Sequence, residues 1–102
     1  MKPCYSVKRS SIHGRGLFAA RRICSHAQIG IYEGPATTRD GRYVLWYPDE
    51  EGRECAIRGT NSLRFVNHSL APNAEFQGAE LFAIGTIEPG AEITIHYGDD
   101  WE

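Results

Sequence analysis

Turn-forming residues interrupt this 102-residue chain so often that a long helix is excluded. A helix that supports itself needs about 12 residues, and no window of that length keeps an unbroken helical apolar period. Glycine allows positive φ and proline fixes φ at roughly −65°, so both favour turns between short extended segments. We predict a strand for each apolar segment between these turns, namely residues 5–7, 17–20, 28–32, 43–47, 55–57, 74–76, 81–84 and 92–97. The predicted fold class is therefore mainly β, with one helical or 3₁₀ turn over residues 60–65.

Two of these strands form the clearest predicted hairpin. Residues 74–76 and 81–84 are separated by a short segment that contains Gln-Gly, a turn signal. In the last strand, alternation predicts Ile93 and Ile95 on one face and Thr94 on the other.

The composition and charge are those of one ordinary globular domain over residues 1–102. Hydrophobic residues make up 41% and charged residues 24%, which argues against a disordered chain or a disulfide scaffold. The formal net charge of -2 gives no basic surface, so we predict no direct nucleic-acid partner. The chain lacks an apolar signal sequence and any apolar run near the about 20 residues that cross a bilayer. We therefore expect no membrane association and a cytoplasmic protein, with a nuclear or host-directed location left open.

The cysteines and histidines lack the spacing of a metal site. The chain has three cysteines, an odd number, and none forms a C-x-x-C pair: Cys4, Cys24 and Cys55. We therefore expect reduced thiols. The four histidines lie far apart in the sequence. We predict no metal.

A glycine-rich segment begins at Gly14 and reads Gly-Arg-Gly-Leu-Phe-Ala. This is the spacing of a dinucleotide-binding loop, but no crossover helix follows it and the chain is too short for a doubly wound sheet. Two interpretations remain: a plain glycine turn, or a loop that lets another ligand lie against exposed backbone.

Two further segments carry polar side chains of the kinds that bind ligands or take part in catalysis. Residues 64–73 read Arg-Phe-Val-Asn-His-Ser-Leu-Ala-Pro-Asn, and such polar side chains either satisfy backbone groups in a tight turn or bind a ligand. His68 and Ser69 are adjacent and point apart in extended chain, so a hydrolase pair is not expected. Residues 92–98 end a strand in Tyr-Gly, which a core strand with a half-buried tyrosine would also explain.

Taken in order, these segments resemble the SET-domain protein-lysine methyltransferases. Residues 11–19 resemble the family's opening G-x-G segment, 29–34 its Y-x-G strand, 64–73 its R-F-x-N-H-S-x-x-P-N segment, and 92–98 its E-[LI]-T-x-x-Y-G ending. The resemblance covers nearly the whole chain. It implies small curved sheets around a threaded, pseudoknot-like C-terminus, with S-adenosylmethionine as methyl donor.

The resemblance also implies roles for individual residues. The methionine part of the donor would lie against the backbone of Gly14, Arg15, Gly16 and Leu17. Its amino-acid and adenosine ends would be held by Asn67, His68 and Trp101. Tyr97 and Tyr32 would be the catalytic tyrosines of a lysine channel. Phe65, Phe76 and Ile95 would complete its lining.

The sequence departs from the family pattern near its C-terminus. Leu70 stands where the family usually has cysteine, and no cysteine-rich segment follows Tyr97. A short form without the zinc-binding tail is therefore expected, and short SET proteins of this kind suggest a homodimer. Ile95 stands where a phenylalanine or tyrosine often limits methylation, so we expect more than one methyl group to be added.

Other functions remain open at this stage. The main alternative is a catalytically inactive SET-fold module that binds a peptide by strand addition. A third is methylation of a small amine, with residues 43–52 as a cap. For the enzyme, acidic residues 49–54 near the middle of the chain suggest a lysine-rich substrate, such as a histone or a basic ribosomal protein.

Overall fold

The computed structural model describes residues 3–97, and this part of the chain is mainly β, as predicted. One 3₁₀ turn over Ser62–Phe65 lies within the predicted helical segment. The strands are β1 Tyr5–Arg9, β2 Arg15–Ala19, β3 Gln28–Ile31, β4 Val44–Pro48, β5 Glu54–Arg58, β6 Asn67–His68, β7 Ala74–Gln77, β8 Glu80–Ala83 and β9 Glu92–Ile95. Within residues 3–97, no helix is long and apolar enough to cross a membrane.

The strands form three small sheets. Their orders are β1-β2-β9-β6, β3-β8-β7 and β4-β5. The last strand lies between β2, to which it is antiparallel, and the two-residue strand β6, to which it is parallel. The C-terminal strand is therefore inserted between the glycine segment and the segment that carries Asn67 and His68.

The predicted hairpin is confirmed as β7-β8. Gln77 pairs with Glu80, so a two-residue turn joins the strands, and its first residue, Gly78, has a φ of 62°. Positive φ at this position suits the right-handed twist of a hairpin, and glycine adopts it without steric cost.

The last strand is shorter than predicted, and most of it is buried. Alternation predicts Thr94 on the face opposite Ile93 and Ile95, and all three are buried, with exposed fractions of 6%, 0% and 8%. The strand is central in its sheet, with β2 and β6 paired at its two edges, and β7 of another sheet packs against it. The strand ends at Ile95 rather than at residue 97, since the N–H of Tyr97 donates to a side chain instead of a neighbouring strand.

The glycine segment is part turn and part strand. Gly14, with a φ of 45°, lies in the turn, while Arg15 and Gly16 already belong to β2. Leu17 pairs with Val7 in β1 and with Ile93 in β9. The side chain of Leu17 therefore joins the fully buried core, whose largest members are Leu17, Leu63, Leu81, Ile87 and Ile93.

Candidate active site

A cavity of about 1280 Å³ opens between the start of β2, the 3₁₀ turn, the β4-β5 hairpin and the end of β9. It is larger than the roughly 300–1,000 Å³ of most small-molecule sites. Nine of the predicted site residues line it: Gly14, Arg15, Tyr32, Phe65, Asn67, His68, Phe76, Ile95 and Tyr97. Five separate segments of the sequence therefore meet at one place.

Three predicted site residues are not in this lining. Leu17 is buried in the core, and Gly16 lies against the carboxylate of Glu92, which fills the space where a side chain would be. Both residues belong to β2, whose first residue, Arg15, lines the cavity. Trp101 lies outside the described residues.

Asn67 holds the segment that precedes β2. Its Nδ2 donates to the carbonyls of His13 and Arg15 at 3.1 and 3.0 Å, and to the Glu92 carboxylate at 2.9 Å. The hydroxyl of Ser10 donates to the same carboxylate at 2.8 Å. A carboxylate accepts several hydrogen bonds at once, so Glu92 ties β1, the glycine segment and β6 to β9.

Tyr97 is held at both ends, although 44% of its surface is exposed. Its hydroxyl donates to the carbonyl of Val66 at 2.7 Å, and its N–H donates to Nδ1 of His68 at 2.9 Å. Burial of the phenol, followed by the nearby Tyr43, raises the pKa of Tyr97 above its ordinary value. The hydroxyl is therefore a neutral, oriented group and not a base at neutral pH.

Tyr32 is a second fixed tyrosine. It is 6% exposed, its hydroxyl donates to the carbonyl of Tyr43, and its ring meets the edge of Phe76 at 5.6 Å between centroids. Burial, with a smaller contribution from Tyr97, raises the pKa of Tyr32 to about 12, although Arg64 acts in the opposite direction. Tyr32 thus stays protonated throughout the physiological range.

Tyr43 and Arg64 line the same cavity but were not among the predicted site residues. The guanidinium of Arg64 lies 4.2 Å from the ring centroid of Phe65 and donates to the carbonyls of Thr60 and Asn61. The ring of Tyr43 meets Phe65 edge-on at 6.0 Å. Arg64 opens the R-F-x-N motif, so the motif contained a signal for it. Tyr43 has an unusual positive φ of 68°, which no local pattern predicts.

The part of the lining before and along β4 and at β7 holds aromatic rings, two carboxylates and a guanidinium, namely those of Tyr43, Trp46, Phe76, Asp40, Glu75 and Arg42. Asp40 accepts hydrogen bonds from the Trp46 indole N–H at 3.0 Å and from the Gly41 N–H at 2.9 Å. These bonds, that of Trp46 first, lower the pKa of Asp40 below its ordinary value. Glu75 is a second carboxylate of the lining.

Among residues 3–97, no group of three or more acidic, histidine or cysteine side chains is arranged to hold a metal ion.

The fold is shared with solved structures of SET-domain proteins. The Plasmodium falciparum putative histone methyltransferase superposes with a TM-score of 0.73 at 21% identity, over 99% of this chain and 98% of that one. The CpSET8 protein of Cryptosporidium gives 0.79 at 21% identity, over 97% and 59% of the two chains. The methyltransferase domain of human PR domain-containing protein 2 gives 0.71 at 20% identity, over 100% and 82%. At such identities the likeness shows the fold alone.

The sequence comparison shows the family. The SET domain model matches residues 14–98, and the chain belongs to the SET-domain family of methyltransferases. Human histone-lysine N-methyltransferase 2B is 30% identical over 94% of this chain, and the trithorax histone-lysine N-methyltransferase of Drosophila virilis is also 30% identical over 94%. The chain spans only 4% and 3% of the length of these two relatives.

Proposed function

We propose that this chain is a protein-lysine N-methyltransferase that takes its methyl group from S-adenosylmethionine. The observation that carries the proposal is one cavity lined both by Asn67 and the glycine segment and by two tyrosines with fixed hydroxyls. The size of the cavity supports two occupants, a donor and a lysine side chain.

The residues of the glycine segment and β6 fit the donor's amino-acid part. The Nδ2 of Asn67 donates only to protein groups among the described residues. Its Oδ1 accepts no hydrogen bond from the described residues, so it is available to the donor's ammonium group. Arg15 forms no ion pair within residues 3–97, so its guanidinium is available to the carboxylate. No atom lies within 4 Å of the position of a Gly14 side chain, which leaves its backbone open. Once bound, S-adenosylmethionine supplies a methyl group that its positive sulfur has already activated.

The aromatic residues suit a neutral lysine amine. Free lysine has a pKa of about 10.4, so deprotonating it at pH 7 costs roughly 4.6 kcal/mol. A poorly hydrated channel lined by Phe65, Phe76 and Ile95, next to a positive charge, lowers that pKa. The hydroxyls of Tyr97 and Tyr32 both donate to backbone carbonyls, so their oxygens keep lone pairs that can accept the amine's N–H. The tyrosines therefore orient the amine, and catalysis rests on alignment.

The substrate we propose is a lysine-rich protein or peptide, histone-like or ribosomal. The acidic stretch 49–54 supports it because opposite charges favour encounter. The curated relatives are named for histone-lysine substrates, which supports the same class. We also propose a homodimer, in which the second copy would close the cavity.

Calorimetric titration of S-adenosylmethionine tests the donor site. We expect wild-type protein to bind in the micromolar range and Asn67→Ala to lose binding. Gln28→Ala, which removes an exposed amide outside the lining, is the matched control and should bind as wild type does. If wild-type protein binds no donor even with a lysine-rich peptide present, the donor site is wrong. Peptide binding without donor would favour the alternative, a SET-fold peptide-binding module.

A further inference from the structure

Tyr97 lies beyond the last strand pairing, so its position depends on other contacts. The final backbone bond of β9 joins the Ile95 carbonyl to the N–H of Ser69 at 2.9 Å. Two residues later, the Tyr97 N–H donates to Nδ1 of His68 at 2.9 Å, and the two rings lie 5.2 Å apart. The phenol end is fixed separately on the carbonyl of Val66. One end of Tyr97 is therefore held by backbone and the other by an imidazole.

The imidazole can hold Tyr97 only in one protonation state. A ring nitrogen accepts a hydrogen bond only when it carries no proton, so the neutral ring of His68 has its proton on Nε2. A second proton would turn Nδ1 into a donor and set two N–H groups against each other. The contact with the Tyr97 backbone would then be lost.

We propose that the His68 side chain is a positioning residue, which keeps the Tyr97 hydroxyl aligned with the reacting amine and releases it when the ring takes up a proton. The kinetic part of this inference rests on the proposed function; the hydrogen bond itself does not. This role differs from donor binding, the role that the family resemblance implies for His68.

Neighbouring ionisable groups bear on the protonation of His68. Within residues 3–97, the titratable rings packed on it are His96, at 4.9 Å between centroids, and Tyr97 itself. Asp99 and Asp100 follow closely in the sequence and lie outside the described residues. Variants of His96 and of these two aspartates therefore belong in the test.

Two amide variants separate positioning from a general need for a polar side chain. His68→Asn brings an acceptor oxygen to about the place of Nδ1 and cannot take up a proton, while His68→Gln carries the same amide one carbon farther out. We expect His68→Gln to lower kcat about tenfold to 100-fold with little change in the donor KM, because small displacements of a reacting group are costly. His68→Asn should recover most of that loss. Equal kcat values for the two variants would overturn the proposal.

The pH profile provides a readout that a merely structural role would not affect. Rates of wild-type protein and His68→Asn are compared between about pH 5.5 and about pH 8.5, where imidazoles titrate. Titration of the substrate lysine affects both proteins equally and cancels in their ratio. We expect the rate of wild-type protein to fall relative to that of His68→Asn as the pH is lowered. His96→Ala and Asp99→Asn/Asp100→Asn, which both keep His68, should show the same fall relative to His68→Asn. A ratio that does not change with pH would contradict the inference.

A measurement without turnover distinguishes this inference from the proposed function. If wild-type protein methylates no lysine, the proposed function fails, and the amide resonance of Tyr97 decides the inference alone. In His96→Ala, which removes the other imidazole, that resonance should shift with pH when His68 is present and change little in His96→Ala/His68→Asn. An amide resonance identical in wild-type protein and His68→Gln at every pH would show that the imidazole does not hold Tyr97.

Discussion

The carboxylate of Glu92 fills the space next to the α-carbon of Gly16, so a β-carbon built on Gly16 would overlap Oε2 of Glu92. The carboxylate is not free to swing away, because Ser10 and Asn67 both donate to it. The second glycine of the G-x-G segment therefore allows a half-buried carboxylate to approach β2. The cavity wall formed by His13 and Arg15 is held through the same network.

Substitution of Gly16 tests this network. Gly16→Ala should lower the free energy of unfolding by about 1–3 kcal/mol, the usual cost of overpacking, and weaken donor binding. Gly85→Ala is the control, since nothing lies within 4 Å of its side-chain position and its φ is not in the left-handed region. Urea unfolding of both variants is the measurement. Equal stability of the two variants would show that Glu92 moves aside freely.

Removal of the Tyr97 hydroxyl should separate binding from transfer. Tyr97→Phe loses the bond to the Val66 carbonyl and the oxygen that orients the amine. We expect kcat to fall about 100-fold with unchanged donor affinity, since misalignment of the reacting atoms is costly. Tyr47→Phe, which alters a tyrosine of β4 outside the lining, should keep the wild-type rate. Unimpaired turnover by Tyr97→Phe would remove Tyr97 from its role.

The residue at position 95 should control how many methyl groups are added. Ile95 is 8% exposed and lines the cavity, and it lacks a hydroxyl that could hold a water beside the amine. Wild-type protein should therefore reach the di- or trimethylated product, and Ile95→Tyr should stop earlier. Mass spectrometry of the product peptide measures this, with Ile84→Tyr, at an exposed position, as control. Identical product distributions for wild type and Ile95→Tyr would contradict the prediction.

The raised pKa of Tyr32 predicts a loss of stability in alkali. In the unfolded chain a tyrosine ionises near its ordinary value of 10.0, but folding raises the pKa of Tyr32 to about 12. Between these values the folded state binds more protons than the unfolded state, so the free energy of unfolding falls as the pH rises. Tyr32→Phe should be less stable than wild type at neutral pH yet lose less of its stability across this interval. Urea midpoints at several alkaline pH values test this, and parallel losses in both proteins would contradict it.

Local patterns predicted most of the strands. Alternating apolar segments bounded by glycine and proline give β1 to β5 and β7 to β9 with small shifts at their ends. The pairing of distant strands is not a local property, so the insertion of β9 between β2 and β6 came only from the family resemblance. The two-residue strand β6 is too short for any periodicity, and its parallel pairing with β9 defines it.

The site residues were predicted from sequence motifs, and not from the burial or packing of each residue in the fold. Tyr32, Asn67 and Tyr97 stand at motif positions and meet in the cavity. The family motif assigns the backbone of Leu17 to the donor, which stays a prediction, while its side chain belongs to the core. Tyr43 was missed because its place in the cavity depends on a positive φ and on its contact with Phe65.

The central claim is that this chain transfers a methyl group to lysine. Wild-type protein, labelled S-adenosylmethionine and lysine-rich substrates (histones, basic ribosomal proteins and short peptides) are incubated together, and the modified residue is located by mass spectrometry. We predict label on a lysine side-chain amine, and its near-complete loss with Tyr97→Phe. Donor and peptide binding with no label on any lysine would contradict the claim and identify the chain as a SET-fold binding module.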